Sequence, residues 1–103
     1  MPGTAGLAAV NAAVEGVVKP LAVELAPIRV NAVSPGLVNT PWWSAMPEPD
    51  REAYFAAAAK VLPARQIASA DEVADAVVLA ATNPSITGTV LEIDGGARLV
   101  SLG

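Results

Sequence analysis

Ile28-Arg29-Val30-Asn31-Ala32-Val33-Ser34-Pro35-Gly36-Leu37-Val38-Asn39-Thr40 reads as a buried β-strand that ends in a turn able to hold a ligand. Residues 28–33 carry apolar or β-branched side chains at most positions, the pattern of a strand covered on both faces. Pro35-Gly36 then breaks the strand, because proline removes a backbone donor and glycine permits dihedrals that other residues avoid. In open α/β sheets, ligands bind just beyond the carboxyl ends of strands, which is where residues 37–40 fall. The stretch therefore supplies one wall of a site.

Upstream of it, residues 5–26 read as one helix rich in alanine, leucine and valine and closed by Pro27. Asn11, Glu15 and Lys19 recur at four-residue spacing as a narrow polar stripe, with Glu15 ahead of Lys19 in the favourable order for a helix pair. A helix so apolar over the rest of its circumference is expected to be buried on several sides. Downstream, Thr40-Pro41-Trp42-Trp43-Ser44 leads to a second helix over residues 49–61, where Pro49 suits a first helical position and Asp50 and Glu52 suit the positive end of the dipole. Ser69 followed by Glu72 is a capping box that opens a third helix running to Thr82. A turn, a short strand and a second turn follow within residues 86–96. Helix, strand, helix, helix, strand is an order that makes the two strands parallel neighbours joined by a right-handed crossover. A two-stranded parallel sheet does not stand alone, so the architecture reads as the end of a larger α/β one.

The 103 residues amount to at most one small domain, and at 53% hydrophobic and 16% charged they are unusually apolar for it. Glu15, Lys19 and Glu24 interrupt the longest apolar run, so no membrane segment is expected. The start Met1-Pro2-Gly3-Thr4 lacks the basic region of a signal peptide, and a cytoplasmic location is the expectation. A net charge of −4 without a basic cluster argues against nucleic acid as a partner. Cysteine and histidine are both absent, which removes disulfides, thiol nucleophiles, the usual zinc sites and Ser-His-Asp catalysis. Chemistry here needs a cofactor or a different acid.

Glu15-Gly16, Leu25-Ala26-Pro27, the run from Ile28 to Gly36, Thr40-Pro41, and Ile86-Thr87-Gly88-Thr89 with Asp94-Gly95-Gly96 together closely resemble the C-terminal part of short-chain dehydrogenases/reductases. The likeness covers essentially the whole chain. It implies the C-terminal portion of a doubly wound, Rossmann-like parallel sheet that binds NAD(H) or NADP(H) and moves hydride between carbonyl and alcohol. By that resemblance, residues 28–34 are the sixth strand and residues 89–93 the seventh. Pro35, Gly36, Val38 and Thr40 would line the cofactor, the Val38 backbone and the Thr40 hydroxyl holding the nicotinamide carboxamide. Residues 42–62 would form a mobile substrate lid. The resemblance also implies a homo-oligomer, or pairing with the family's N-terminal portion, through the first helix and the last strand.

The departures from the pattern are specific. The family's glycine-rich phosphate loop has no counterpart among these residues, since Gly3-Thr4-Ala5-Gly6 lacks both the glycine spacing and a preceding strand. The family's catalytic tyrosine and lysine, four residues apart, map to Leu7 and Asn11. Leucine moves no proton and asparagine carries no charge to lower a neighbour's pKa, so general acid catalysis of the family type is not expected from this chain. Asn11 reads better as part of the stripe with Glu15 and Lys19 than as a ribose contact. For Thr40, a cofactor contact competes with a plain cap before Pro41. Trp42 and Trp43 read equally as pocket lining or as cover for apolar surface. Asp94-Gly95-Gly96 reads as a turn, because one aspartate lacks the companion ligands of a metal site.

Overall fold

The computed structural model describes residues 5–100. Met1-Pro2-Gly3-Thr4, read above for its lack of a basic region, lies outside them. The chain divides into two compact units, one of residues up to Ala32 together with Leu79–Leu91, the other of Val33–Val78 together with the residues from Glu92 onward.

In the first unit the expected helix over 5–26 is two helices, α1 (Ala5–Gly16) and α2 (Val18–Glu24). Pro20 is the physical reason. Its nitrogen carries no hydrogen, and its ring crowds the carbonyl four residues back, that of Gly16, where α1 stops. The chain rejoins a helical path at once, the Leu21 N–H donating to the Val17 carbonyl at 3.0 Å. The break falls between Glu15 and Lys19, and no ion pair joins them among the described residues. No residue of α1 is buried, and Leu7, Val10 and Val14 are each more than half exposed. The cover expected on several sides of this helix is therefore not supplied within its unit. By length and composition the 20 residues Ala5–Glu24 reach the size of a membrane span. A core helix of a soluble protein passes that test too, and Glu15 and Lys19 sit where a span tolerates charge least. Val18 and Ala22 of α2, with Ala80, are buried in this unit.

The strand begins later than expected, β1 being Ala32–Pro35 rather than residues 28–34. Arg29, Val30 and Asn31 bond instead to the connection at residues 86–89. The Asn31 amide donates to the Ile86 carbonyl at 2.8 Å and accepts the Thr89 N–H at 3.1 Å. The Thr87 hydroxyl accepts the Val30 N–H, and the Gly88 N–H donates to the Val30 carbonyl at 2.8 Å. Arg29 closes the arrangement, its guanidinium donating to the carbonyls of Ala80 at 2.6 Å, Ile86 at 3.0 Å and Ala81.

β1 pairs with β4 (Val90–Ile93). The Ala32 N–H donates to the Thr89 carbonyl and the Gly36 N–H to the Ile93 carbonyl, so the partners advance together and the strands are parallel, as expected. Pro35 ends the strand without costing it a bond. Donors toward β4 come from Ala32 and Gly36, and a residue of the opposite parity faces the other edge.

The second unit holds a short parallel pair that the sequence pattern does not signal, β2 (Val38–Asn39) with β3 (Ala68–Ser69), in the register Val38 to Ala68 and Asn39 to Ser69. Between them lie a 3-10 helical turn at Pro41–Trp43 and α3 (Glu48–Val61), one residue longer than expected at its start. α4 (Ala70–Thr82) opens on the expected capping box: the Ser69 hydroxyl accepts the Glu72 N–H at 3.1 Å and the Glu72 carboxylate accepts the Ser69 N–H at 2.8 Å. Phe55, Leu62, Ala68 and Ala76 are the buried residues among those described in this unit.

Candidate functional site: the loop after the first strand

Pro35, Gly36, Val38 and Thr40 all fall in the second unit: Pro35 ends β1, Gly36 lies in the loop after it, Val38 is on β2 and Thr40 follows β2. Gly36 is glycine for space and not for a special dihedral. Its φ lies outside the left-handed region, but a Cβ there would stand 2.9 Å from both Cα and Cβ of Asp94. The sequence reading attributed this glycine to backbone freedom; close approach is what requires it.

Asp94 opens the Asp94-Gly95-Gly96 turn, where Gly95 and Gly96 do take positive φ angles of 64° and 88°. The turn is braced from the loop after α3. The Ala64 N–H donates to the Gly95 carbonyl at 2.9 Å, and a Cβ on Gly96 would reach within 2.8 Å of the Pro63 ring. The Asp94 carboxylate accepts the Gly96 N–H at 2.9 Å and the Arg98 N–H at 3.2 Å, and pairs with the Arg98 guanidinium at 2.7 Å. Burial pushes its pKa up, but the two N–H groups and then the guanidinium outweigh that and hold it below the ordinary 3.8. Its oxygens are thus spent on the turn.

Val38 is half-buried, its backbone engaged in β2, and its carbonyl accepts the Trp43 indole N–H at 3.0 Å. Thr40 stands at the N-terminus of the 3-10 turn and its carbonyl accepts the Trp43 backbone N–H at 3.0 Å, yet its hydroxyl makes no capping bond. The plain-cap reading of Thr40 is not realised. Thr40 itself is half-buried, and its side chain makes no cap bond.

The two tryptophans separate. Trp42 is 85% exposed, whereas the Trp43 ring lies 5.6 Å from Tyr54 and 5.5 Å, edge-on, from Phe55. Leu7 and Asn11 lie on α1, in the other unit, and both are exposed.

Two features escaped the sequence reading. Arg29 caps the end of α4, where orphan carbonyls and the negative end of the dipole favour a cation. A charge in an otherwise apolar strand pattern was the available signal, since such a charge needs a partner. Pro20 was the signal for the helix break.

Comparison with known proteins places this geometry. A family model described as enoyl-(acyl carrier protein) reductase matches residues 1–98. The chain is 40% identical over 107 residues to oxidoreductase UcpA of Escherichia coli K12, covering 95% of this chain and 40% of that one. It is 41% identical over 86 residues to the short-chain dehydrogenase/reductase malC of Malbranchea aurantiaca, covering 84% of this chain and 33% of that one. A crystal structure of a small-chain dehydrogenase in complex with NADPH superposes with a TM-score of 0.85 at 44% identity, over 97% of this chain and 46% of its own. The chain belongs to the short-chain dehydrogenase/reductase family of oxidoreductases. Its helices and parallel strands are part of that family's Rossmann-like fold, and it spans about 40% of the length of the UcpA relative it matches.

Proposed function

We propose that this chain forms the nicotinamide side of a NAD(P)(H) site and the adjoining substrate lid of a short-chain oxidoreductase. A dinucleotide bound there supplies the hydride. The Val38 backbone and the Thr40 hydroxyl hold the carboxamide, with Pro35 and Gly36 forming the turn that brings them into place. The residues 42–62 that follow, carrying α3, cover the substrate. The observation that carries this reading is Thr40, a half-buried residue just beyond β2 whose side chain makes no cap bond. Gly36 supports it, because an ordinary side chain there would drive the loop off the Asp94 turn.

Leu7 and Asn11 stand where the family's proton donor and its charged partner would stand, so this chain by itself is catalytically silent. The glycine-rich phosphate loop belongs to a region beyond the matched part of the relatives. Its absence from these residues makes dinucleotide binding by the 103-residue chain weak.

A second reading has its own observation. The Leu7, Val10 and Val14 side chains form a continuous exposed apolar stripe at three- and four-residue spacing. An interaction module that pairs through α1 and the last strand, without catalysis, accounts for such a face directly.

Titration of the purified chain with NADH and NADPH, followed by tryptophan quenching and calorimetry, decides between them. Saturable binding supports the cofactor reading. No binding at millimolar dinucleotide overturns it for this chain and leaves the interaction module.

A further inference from the structure

Trp43 makes two kinds of contact at once. Its indole N–H donates to the carbonyl of Val38, the residue whose peptide the proposed function places against the carboxamide. Its ring packs on Tyr54 and Phe55 of α3, which themselves lie 5.9 Å apart, so three aromatic rings form one cluster. Phe55 is buried, and it is the buried residue of α3. The neighbouring Trp42 makes none of these contacts and projects into solvent.

We propose that Trp43 is a positioning residue: it fixes the Val38 peptide and ties its place to that of helix α3. This rests on the cofactor reading of the loop. The Val38 carbonyl has two lone pairs, and one is occupied by the indole. A carbonyl held at one lone pair has its orientation set before a ligand arrives, which lowers the ordering cost of binding. β2 is only two residues long, so the pairing with β3 does little to fix the peptide plane alone. The indole bond supplies the missing restraint. Because the same ring packs against both Tyr54 and Phe55, displacement of α3 drags the indole and loosens Val38. Lid position and cofactor affinity are thereby linked through one side chain.

The experiment uses the full 103-residue chain with three substitutions, W43F, Y54A and W42F. W43F keeps a smaller ring in the cluster and removes the donor; Y54A removes a cluster member from α3; W42F is the control. The first readout needs no ligand: amide hydrogen exchange and chemical shifts of Val38, Asn39 and Thr40 by NMR. Faster exchange and displaced resonances at these amides in W43F and Y54A, with W42F unchanged, is the expected result. The second readout is the dissociation constant for NADPH or NADH, expected to rise roughly three- to tenfold in W43F, the loss of one hydrogen bond. Thermal melting reports whether each variant is folded. Loop amides unmoved in a folded W43F overturn the proposal, as does a wild type that binds dinucleotide saturably but no better than W43F. A wild type that binds neither dinucleotide overturns the cofactor reading instead. Loop amides that still move in W43F then support Trp43 as the anchor of Val38, and amides that stay put overturn it.

Discussion

Gly36 and Asp94 show how much of this loop is decided by single atoms. In Gly36→Ala, the added methyl meets backbone as well as side chain of Asp94, and backbone cannot step aside as a flexible side chain can. The expected cost is about 1–3 kcal/mol, as for overpacking elsewhere, read as a lower urea midpoint. Asp94 adds a pH dependence of known sign. Its folded pKa lies below the ordinary 3.8, so its contribution is complete above that value and is lost as pH falls through the folded one. The stability gap between wild type and D94N should therefore stay constant from neutrality down to the ordinary carboxylate range and close below it. Urea midpoints collected at several pH values check this, and a gap that widens on acidification would contradict it. Thr40 teaches a different lesson. Its residue type permits a cap and a ligand contact, and the structure shows that the cap bond is not made.

Elements here begin and end for reasons that lie partly in the chain and partly outside it. The capping box of α4 was legible because Ser69 and Glu72 satisfy each other's backbone donors within four residues. The break between α1 and α2 was equally local, and Pro20 announces it. The late start of β1 was not legible, because Arg29, Val30 and Asn31 look like strand residues until residues 86–89 claim their bonding groups. Arg29 is the test case. In Arg29→Ala the carbonyls of Ala80, Ala81 and Ile86 lose a common donor, with an expected loss of about 1–3 kcal/mol at unchanged urea slope. Arg29→Lys should recover only part of it, since one ammonium cannot match a planar fork spread over three acceptors. Wild-type stability in Arg29→Lys would show that charge at the end of α4 matters and fork geometry does not. β2 and β3 were invisible for a simple reason: two residues each are too short to show alternation.

At the scale of the whole molecule, the dominant fact is an apolar helix without cover. Leu7, Val10 and Val14 on α1 are 56–62% exposed, and among the described residues those that are buried are few and mostly alanine. Water contact over such a stripe is unfavourable in proportion to its area, so association through α1 is expected at micromolar concentrations. Sedimentation should find the wild type above its monomer mass of 10.4 kDa, and Val14→Glu, which places a charge in the stripe, should return it to that mass. A wild type that stays monomeric at high concentration would count against α1 as a pairing surface. The sequence by itself determined the α/β class, the parallel strands, the family, the α4 cap and the loop after β1, because each depends on periodicity, on turn chemistry or on residues near one another in the chain. Tertiary structure alone decided that Gly36 is required by Asp94, that Arg29 serves α4, and that Trp43 rather than Trp42 holds Val38. It also decided that α1 stays uncovered. These four are set by how side chains pack once the chain is folded, or by cover that the other described residues do not provide, and neither a period nor a motif records such things.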